Sequence, residues 1–196
     1  MGDASGDPGK RLEAAARNIH PGEWAVEDAR PIATLLGSCV TVCLFDPHLR
    51  FGGANHFMLP IRTRDTDSEY DSLLRGDYAM EVLVNAMLDR GARKQRLIAK
   101  AFGGGNVVTS LRRSIGEGNI AFARAWLERE GIALSASDLG GPWARKIVFD
   151  PSNGDAYCRR VDSSQQVSTQ VAQAETVYEN ALVSRVRTGE KEIELF

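Results

Sequence analysis

Cysteine, histidine and long apolar runs are all scarce in this chain of 196 residues. Its three cysteines have no framework spacing, which argues against a disulfide scaffold and is typical of free thiols in a reducing compartment. The longest nearly apolar run, Ile32–Phe45, is too short to span a bilayer, and the first residues contain no apolar stretch of a secretory signal. A net charge of −2 gives no indication of nucleic-acid or membrane binding. We therefore expect a cytoplasmic globular protein.

The remaining composition, 43% hydrophobic and 26% charged, is that of a globular chain with one core. We divide it into three parts. Residues 1–20, rich in Gly, Asp and Ala, are expected to be a mobile arm, and residues 21–164 a single domain. Residues 165–196 are expected to form an appended helix and tail, because apolar residues recur there at helical spacing: Val171, Ala174, Tyr178, Ala181 and Leu182.

Short apolar segments predict a sheet-rich domain. The strand-like segments are "WAVEDA", "TVCLFDP", "GGANHFMLP", "RLIAKAF", "IALSASD", "RKIVFDP" and "AYCRRV". The last two are joined by Asn153-Gly154, a strong hairpin signal. Helices are predicted at Tyr78–Arg90 and, with Asn119 as N-cap, at Ile120–Glu130, whereas the polar residues 62–76 are predicted to be a loop. The expected fold is a single-domain mixed α/β architecture of largely antiparallel β layers flanked by helices.

Cys39 follows Gly37 and Ser38 where the central apolar run begins, and this position suits a nucleophile. A reactive thiol has to lie at the edge of a rigid element, near backbone N–H groups that can stabilise an oxyanion, and it needs a base. His56 is the candidate base. A hairpin turning near residues 46–52 would lay its strand beside that of Cys39.

Several other interpretations of these residues remain open. Cys39 can be an inert buried thiol, His56 a core residue, and Ser38 a weaker nucleophile. A zinc site from Cys39, Cys43 and His56 has little support, because there is no second cysteine pair. A phosphate loop at residues 103–106 also has little support, since Gly103-Gly104-Gly105-Asn106 matches no phosphate-binding motif.

A family resemblance favours the catalytic interpretation. "TLLGSCVTVCLFDP" followed by "NHFMLP" resembles the chemoreceptor glutamine deamidases, the CheD family of bacterial chemotaxis. The likeness continues through "AKAFGGGN", "SIGEGNIAFARAWLEREGI", "DLGGPWARKIVFDPSNG" and the terminal "IELF". It implies an α/β fold of the CheD and deamidase-toxin type of cysteine hydrolase.

The resemblance also implies a reaction and the residues that carry it out. Cys39 would attack the side-chain amide of a receptor glutamine, and His56 would transfer protons. The turn at Gly37 and Ser38 would help to hold the oxyanion, and residues 103–106 would line a substrate groove. A threonine six residues before the cysteine orients the histidine in some members, but Ala33 stands there in this chain. Thr34 is the alternative, although adjacent strand residues point to opposite faces.

The implied partners are the cytoplasmic domains of methyl-accepting chemoreceptors and a CheC-type phosphatase, with no nucleic acid, membrane insertion, cofactor or metal. Two rival classes remain. The chain could be a weakly catalytic or non-catalytic regulator that binds receptors or the phosphatase. It could also be a redox protein, which would need a second thiol near Cys39.

Overall fold

The computed structural model describes residues 8–59, 69–107 and 113–161, together with residues 169, 171, 173–178 and 180, which are helical. Within these ranges the α-helices are α1 (Pro8–Ala15), α2 (Glu69–Asp89) and α3 (Arg113–Arg129). The strands are β1 (Arg17–Asn18), β2 (Trp24–Glu27), β3 (Ile32–Leu36), β4 (Val40–Asp46), β5 (Phe51–Asn55), β6 (Ile98–Gly103), β7 (Ala133–Leu139), β8 (Ala144–Asp150) and β9 (Asp155–Val161). Lys94–Arg96 form one 3₁₀ turn.

The strands form two sheets. One has four strands in the order β1-β3-β8-β9, and the other has five in the order β2-β5-β4-β6-β7. Only β1–β3 and β6–β7 are parallel pairs among the described strands; the remaining pairs are antiparallel. The mixed α/β, largely antiparallel fold predicted from the sequence is therefore confirmed.

The elements stack as four layers. An apolar cluster that includes Leu36, Cys43, Ala54 and Phe149 fills the space between the two sheets. Helices α2 and α3 cover the outer face of the five-stranded sheet. Helix α1 contacts β8 on the outer face of the four-stranded sheet. Strand β4 shows the alternation behind this arrangement, since Cys43 faces the other sheet while its neighbours Val42 and Leu44 face the helices.

The first twenty residues were expected to form a mobile arm, and residues 8–20 contain regular structure. Helix α1 ends at Ala15, and β1 pairs with the edge of β3, where Arg17 lies opposite Ile32. Ile19 is buried between the sheets. The proposed division into arm, domain and C-terminal helix stays a prediction.

Both long helices begin earlier than the sequence predicts. Residues 69–76 of the predicted loop belong to α2, and Asn119 lies inside α3 and not at its start. Gly76 in α2 and Gly116 in α3 are points of close contact with neighbouring elements. A Cβ on Gly76 would come within 2.5 Å of the Phe122 ring, so glycine lets α2 approach α3. Residues 62–68 of that predicted loop fall outside the described residues.

Candidate active site

Residues 37–39 carry the chain from β3 in one sheet to β4 in the other. All three carbonyl groups of this loop accept hydrogen bonds from one side. Gly105 N–H donates to the carbonyl of Gly37 (2.6 Å) and Gly104 N–H to that of Cys39 (2.7 Å). The side-chain amide of Asn119 donates to the carbonyl of Ser38 (2.9 Å). With the carbonyls held in this way, the N–H groups of the loop point together to the opposite side.

The glycine-rich residues 103–106 support this loop from behind. Gly103 has a φ of +115°, and a Cβ there would collide with the carbonyl of Cys39. A Cβ on Gly105 would collide with the carbonyl of Trp143. Gly103, Gly104 and Gly105 are buried and Asn106 is partly exposed. Their contacts with residues 37 and 39 hold the loop in place. The predicted role of residues 103–106 as a groove wall stays a prediction.

His56 directly follows β5 and faces the same side of the sheet as Cys39. The register that pairs Cys43 with Ala54 and Val40 with Phe57 puts His56 diagonally across from Cys39. The Sγ of Cys39 and a ring nitrogen of His56 lie within 4.8 Å of each other. The hairpin argument from the sequence thus located His56 correctly.

Thr34 reaches this point from the other sheet. Its Oγ1 lies 2.8 Å from Nδ1 of His56 and donates its proton to the carbonyl of Ile19, also at 2.8 Å. Since the hydroxyl proton is used by Ile19, we assign the Nδ1–H tautomer, in which His56 donates to Thr34. The lone pair of Nε2 is then left for the thiol. Ala33 faces α1 instead and packs with Val148.

The imidazole of His56 is a neutral base in this setting. Burial lowers its pKa to about 4, and the nearby carboxylate of Glu175 opposes this shift without cancelling it. Its Nε2 is buried and has no hydrogen-bond partner among the described residues. At neutral pH the ring is therefore uncharged and able to accept a proton at Nε2.

The other two cysteines have environments that suppress reactivity. Burial raises the pKa of Cys43 to about 12. Burial, followed by the charge of Asp138, raises the pKa of Cys158 to about 11. Both thiols are protonated at neutral pH, and a protonated thiol is a poor nucleophile.

Glu175 is a residue of the site that was not predicted from the sequence. Its Oε1 accepts from the N–H of Gly37 (2.8 Å) and of Cys39 (3.0 Å). Its Oε2 accepts from the N–H (2.9 Å) and the hydroxyl (2.7 Å) of Ser38. These residues form an anion cradle, the name used below for the N–H groups of residues 37–39 and the Ser38 hydroxyl.

The anion cradle stabilises the ionised carboxylate of Glu175. Burial pushes the pKa of Glu175 up, but hydrogen bonds from Cys39 and Ser38 outweigh burial and hold the pKa below its usual value. A sequence signal for this residue existed. Glu175 lies one turn after buried Val171 and three residues before Tyr178, so a carboxylate interrupts the apolar stripe of that helix.

Cys39, His56 and Glu175 also form a group of metal-ligand types, with donor atoms within 4.8 Å of one another. Zinc accepts thiolate, imidazole and carboxylate ligands. Here, however, each carboxylate oxygen already accepts two hydrogen bonds, which uses its lone pairs. The cradle thus already supplies what a cation would supply, and these three residues do not fit a metal ion.

The arrangement contains the components of covalent catalysis by cysteine: a thiol, a neutral imidazole held by a hydroxyl, and converging N–H groups. The chain also matches the model of the family described as CheD chemotactic sensory transduction, over residues 58–160. It belongs to this family. The match begins after Cys39 and His56, so the site itself rests on the geometry described above.

Two relatives extend the similarity across the site. A protein of Dechloromonas aromatica named "Probable chemoreceptor glutamine deamidase CheD 2" is 53% identical, and the alignment covers 99% of this chain and 100% of the relative. A protein of Burkholderia thailandensis with the same name is 43% identical, and the alignment covers 92% of this chain and 93% of the relative. A solved structure, Neisseria meningitidis protein NMB0706, has a TM-score of 0.36 and 14% identity over 61% of this chain and 52% of its own. That likeness is too low to support an argument.

Among the described helices, none is both long and apolar enough to cross a membrane.

Proposed function

We propose that this chain is a protein-glutamine deamidase that hydrolyses glutamine side-chain amides of chemoreceptors to glutamate and ammonia. One observation carries the proposal: the anion cradle beside Cys39 and His56 holds the side-chain carboxylate of a glutamate, which is the product of this reaction. The names of the two relatives support the same activity.

The first half-reaction acylates the thiol. His56 Nε2 takes the proton of Cys39 Sγ, and the sulfur forms a bond to the amide carbon of the substrate. The N–H groups of Gly37 and Cys39, which bind one oxygen of Glu175, are placed to hold the resulting oxyanion. The protonated His56 then gives its proton to the leaving nitrogen. Ammonia departs and a thioester remains on Cys39.

The second half-reaction releases the product. His56 takes a proton from water, whose oxygen attacks the thioester carbon and forms a second oxyanion in the same place. The C–S bond breaks, Cys39 recovers a proton from His56, and glutamate leaves. Thr34 acts as a positioning residue, because its hydrogen bond keeps the lone pair of Nε2 directed toward the sulfur.

The substrate is a glutamine in the cytoplasmic domain of a methyl-accepting chemoreceptor, and the enzyme is accordingly a cytoplasmic protein. A chemoreceptor of this kind is a helical coiled coil, so its glutamine has to project from a helix into the site. A CheC-type phosphatase is a further partner on the same proposal.

The test is the intact mass of a recombinant receptor cytoplasmic domain after incubation with this protein. We expect a gain of about 1 Da per modified site with wild type and none with Cys39→Ala, since only the thiol forms the acyl intermediate. Cys43→Ala is the matched control and keeps the activity, because the high pKa of Cys43 leaves its thiol protonated.

Two results would contradict the proposal. One is an unchanged receptor mass with folded wild-type protein that binds the receptor, which would favour the binding-only role. The other is undiminished activity in Cys39→Ala.

A further inference from the structure

Glu175 occupies the place that the reaction assigns to the product, and it belongs to the same chain. Four hydrogen bonds from residues 37–39 fix its carboxylate, whose oxygen lies within 4.8 Å of Cys39 Sγ and of a ring nitrogen of His56. Glu175 is 2% exposed. A receptor glutamine therefore cannot enter the anion cradle while Glu175 fills it.

The backbone that presents Glu175 is helical on both sides, over residues 173–178. Val171, one turn earlier, is buried, and Ala174 and Val171 line a cavity of about 260 Å³ beside the site. Ile19, Pro21 and Leu35 also line this cavity. A side chain of glutamate or glutamine length thus reaches the nucleophile from a docked α-helix.

Gly37 shows how closely the cradle and the carboxylate fit. A Cβ on Gly37 would come within 2.9 Å of one carboxylate oxygen of Glu175 and 3.1 Å of the other. The loop therefore leaves space for a carboxyl or carboxamide group only because residue 37 has no side chain. The close contact of Gly37 is with the carboxylate group of Glu175.

We propose that the anion cradle recognises the carboxyl or carboxamide end of a glutamate or glutamine displayed on an α-helix, and that Glu175 occupies it as a tethered product analogue that competes with the protein substrate. This inference rests on the proposed function and names the form in which the substrate is presented. The tether keeps the local concentration of the competing carboxylate high. Glu175 itself is inert, because a carboxylate has no leaving group that the thiol can expel.

In a Glu175→Gln variant the amide oxygen takes the place of Oε1, on the N–H groups of Gly37 and Cys39, and the NH₂ group takes the place of Oε2. The Ser38 hydroxyl can then turn from donor to acceptor toward this NH₂ group, whereas the Ser38 N–H loses its acceptor. Cys39 then attacks the amide carbon of Gln in its own chain, ammonia leaves, and water releases the thioester. The encoded glutamine becomes glutamate at position 175.

The first experiment is peptide mass spectrometry of the purified full-length Glu175→Gln variant. We expect position 175 to be about 1 Da heavier than the encoded glutamine, and to remain glutamine when Cys39→Ala is combined with it. Gln173 is the internal control, since it lies on the same helix and is exposed. It should keep its amide in every variant.

The second experiment measures competition with the receptor. Glu175→Ala empties the cradle. The kcat/KM for the receptor domain should therefore rise by the factor by which Glu175 lowers it in the wild type. A site that is open about 10% of the time would gain about tenfold. Gln173→Ala is the matched control on the exposed face of the helix and should leave the rate unchanged.

The outcomes separate this inference from the proposed function. Retention of glutamine at 175 in a folded variant, together with equal receptor rates for wild type and Glu175→Ala, overturns the inference but not the deamidase. Failure of every variant to modify the receptor, with glutamine retained at 175, overturns the proposed function itself. Conversion of Gln to Glu at position 175 without modification of the receptor supports a glutamine on a helix as the substrate and excludes the receptor as the source of that glutamine. If Glu175→Gln does not fold, the Glu175→Ala rate alone decides.

Discussion

Strand β4 runs between two buried carboxylates that are held in different ways. Before its first residue, neutral N–H and O–H donors of residues 37–39 hold Glu175. At its last residue, the guanidinium of Arg96 holds Asp46 (2.7 Å), and the N–H groups of His48 and Leu49 complete the set. Although burial opposes ionisation, these partners keep the pKa of Asp46 below its usual value.

The two ends differ in how easily the bound carboxylate can be replaced. Asp46 is fully buried and Arg96 is 27% exposed, so separating the two leaves a buried charge without its cation, at a cost of several kcal/mol. When a carboxylate bound to backbone N–H groups moves away, another carbonyl oxygen can accept the hydrogen bonds of those groups. An oxyanion does so during catalysis. The Asp46 end therefore fastens a turn, whereas the Glu175 end is a site whose occupant can change.

The largest effect that sharpens this comparison is on stability at the Asp46 end. Arg96→Met leaves Asp46, which is 0% exposed, without its cation, and we expect the free energy of unfolding to fall by about 3 kcal/mol. Denaturant unfolding measures this loss. Lys94→Met, which removes a more exposed partner of Glu130, is the control and should cost less than about 1 kcal/mol. A fall in receptor deamidation that exceeds the loss of folded protein would show that the two ends are not independent.

The next effect is a pH dependence that originates at the Glu175 end. The pKa of His56 is about 4 in the folded chain and about 6.5 when unfolded, so between these values the unfolded chain binds more protons. Stability therefore falls as pH falls through this window, by about 2 kcal/mol at pH 5 relative to pH 7.5. Glu175 contributes in the same direction only below about pH 4.5, because its pKa is lowered from 4.5.

Denaturant unfolding at pH 5 and pH 7.5 measures this slope. His56→Gln should flatten it, while His48→Gln, at an exposed histidine in the turn after β4, should leave it unchanged. Equal stability of the wild type at both pH values would mean that the imidazole of His56 is not held neutral by burial.

The smallest of the three effects concerns the positioning of the base. Thr34→Val removes the acceptor for Nδ1–H, so the Nε2 lone pair is no longer fixed toward Cys39, and kcat should fall about tenfold with KM unchanged. Thr34→Ser restores the hydroxyl and should restore kcat, which separates the hydrogen bond from simple packing. A rise in KM at constant kcat, or no rescue by serine, would assign Thr34 a structural role only.

The sequence was sufficient for seven of the nine described strands and for placing the strand of His56 beside that of Cys39, but it did not predict β1 or β3 as strands. Apolar runs bounded by turn residues mark the strands, and a hairpin register is local enough to be estimated from the turn. The choice between Ala33 and Thr34 was not accessible in this way. Ile32, Ala33 and Thr34 are all buried because the strand is covered on both faces, and the alternation that usually distinguishes the faces is absent.

The first residues of α2 and α3 and the role of Glu175 depend on contacts with residues far away in the chain. Gly76 and Gly116 look like loop residues locally, but each is needed where a helix approaches a neighbour closely. Asn119 looked like a cap, yet its side chain links the carbonyl of Ser38 to the N–H of Leu59. Glu175 contacts residues more than 130 positions earlier, so its role appears only once the fold is known.

The site is assembled across the interface between the sheets, with Thr34 on the four-stranded sheet and Cys39 and His56 on the five-stranded one. The reaction rate therefore depends on how closely the two sheets pack against each other. Ile147 pairs with Thr34 and is buried in the apolar cluster between the two sheets. Replacing Ile147 by valine should therefore lower the reaction rate through the position of Thr34, in addition to the loss of about 1 kcal/mol of stability that such a core change costs. A screen for activity thus also reports on the packing of the interior.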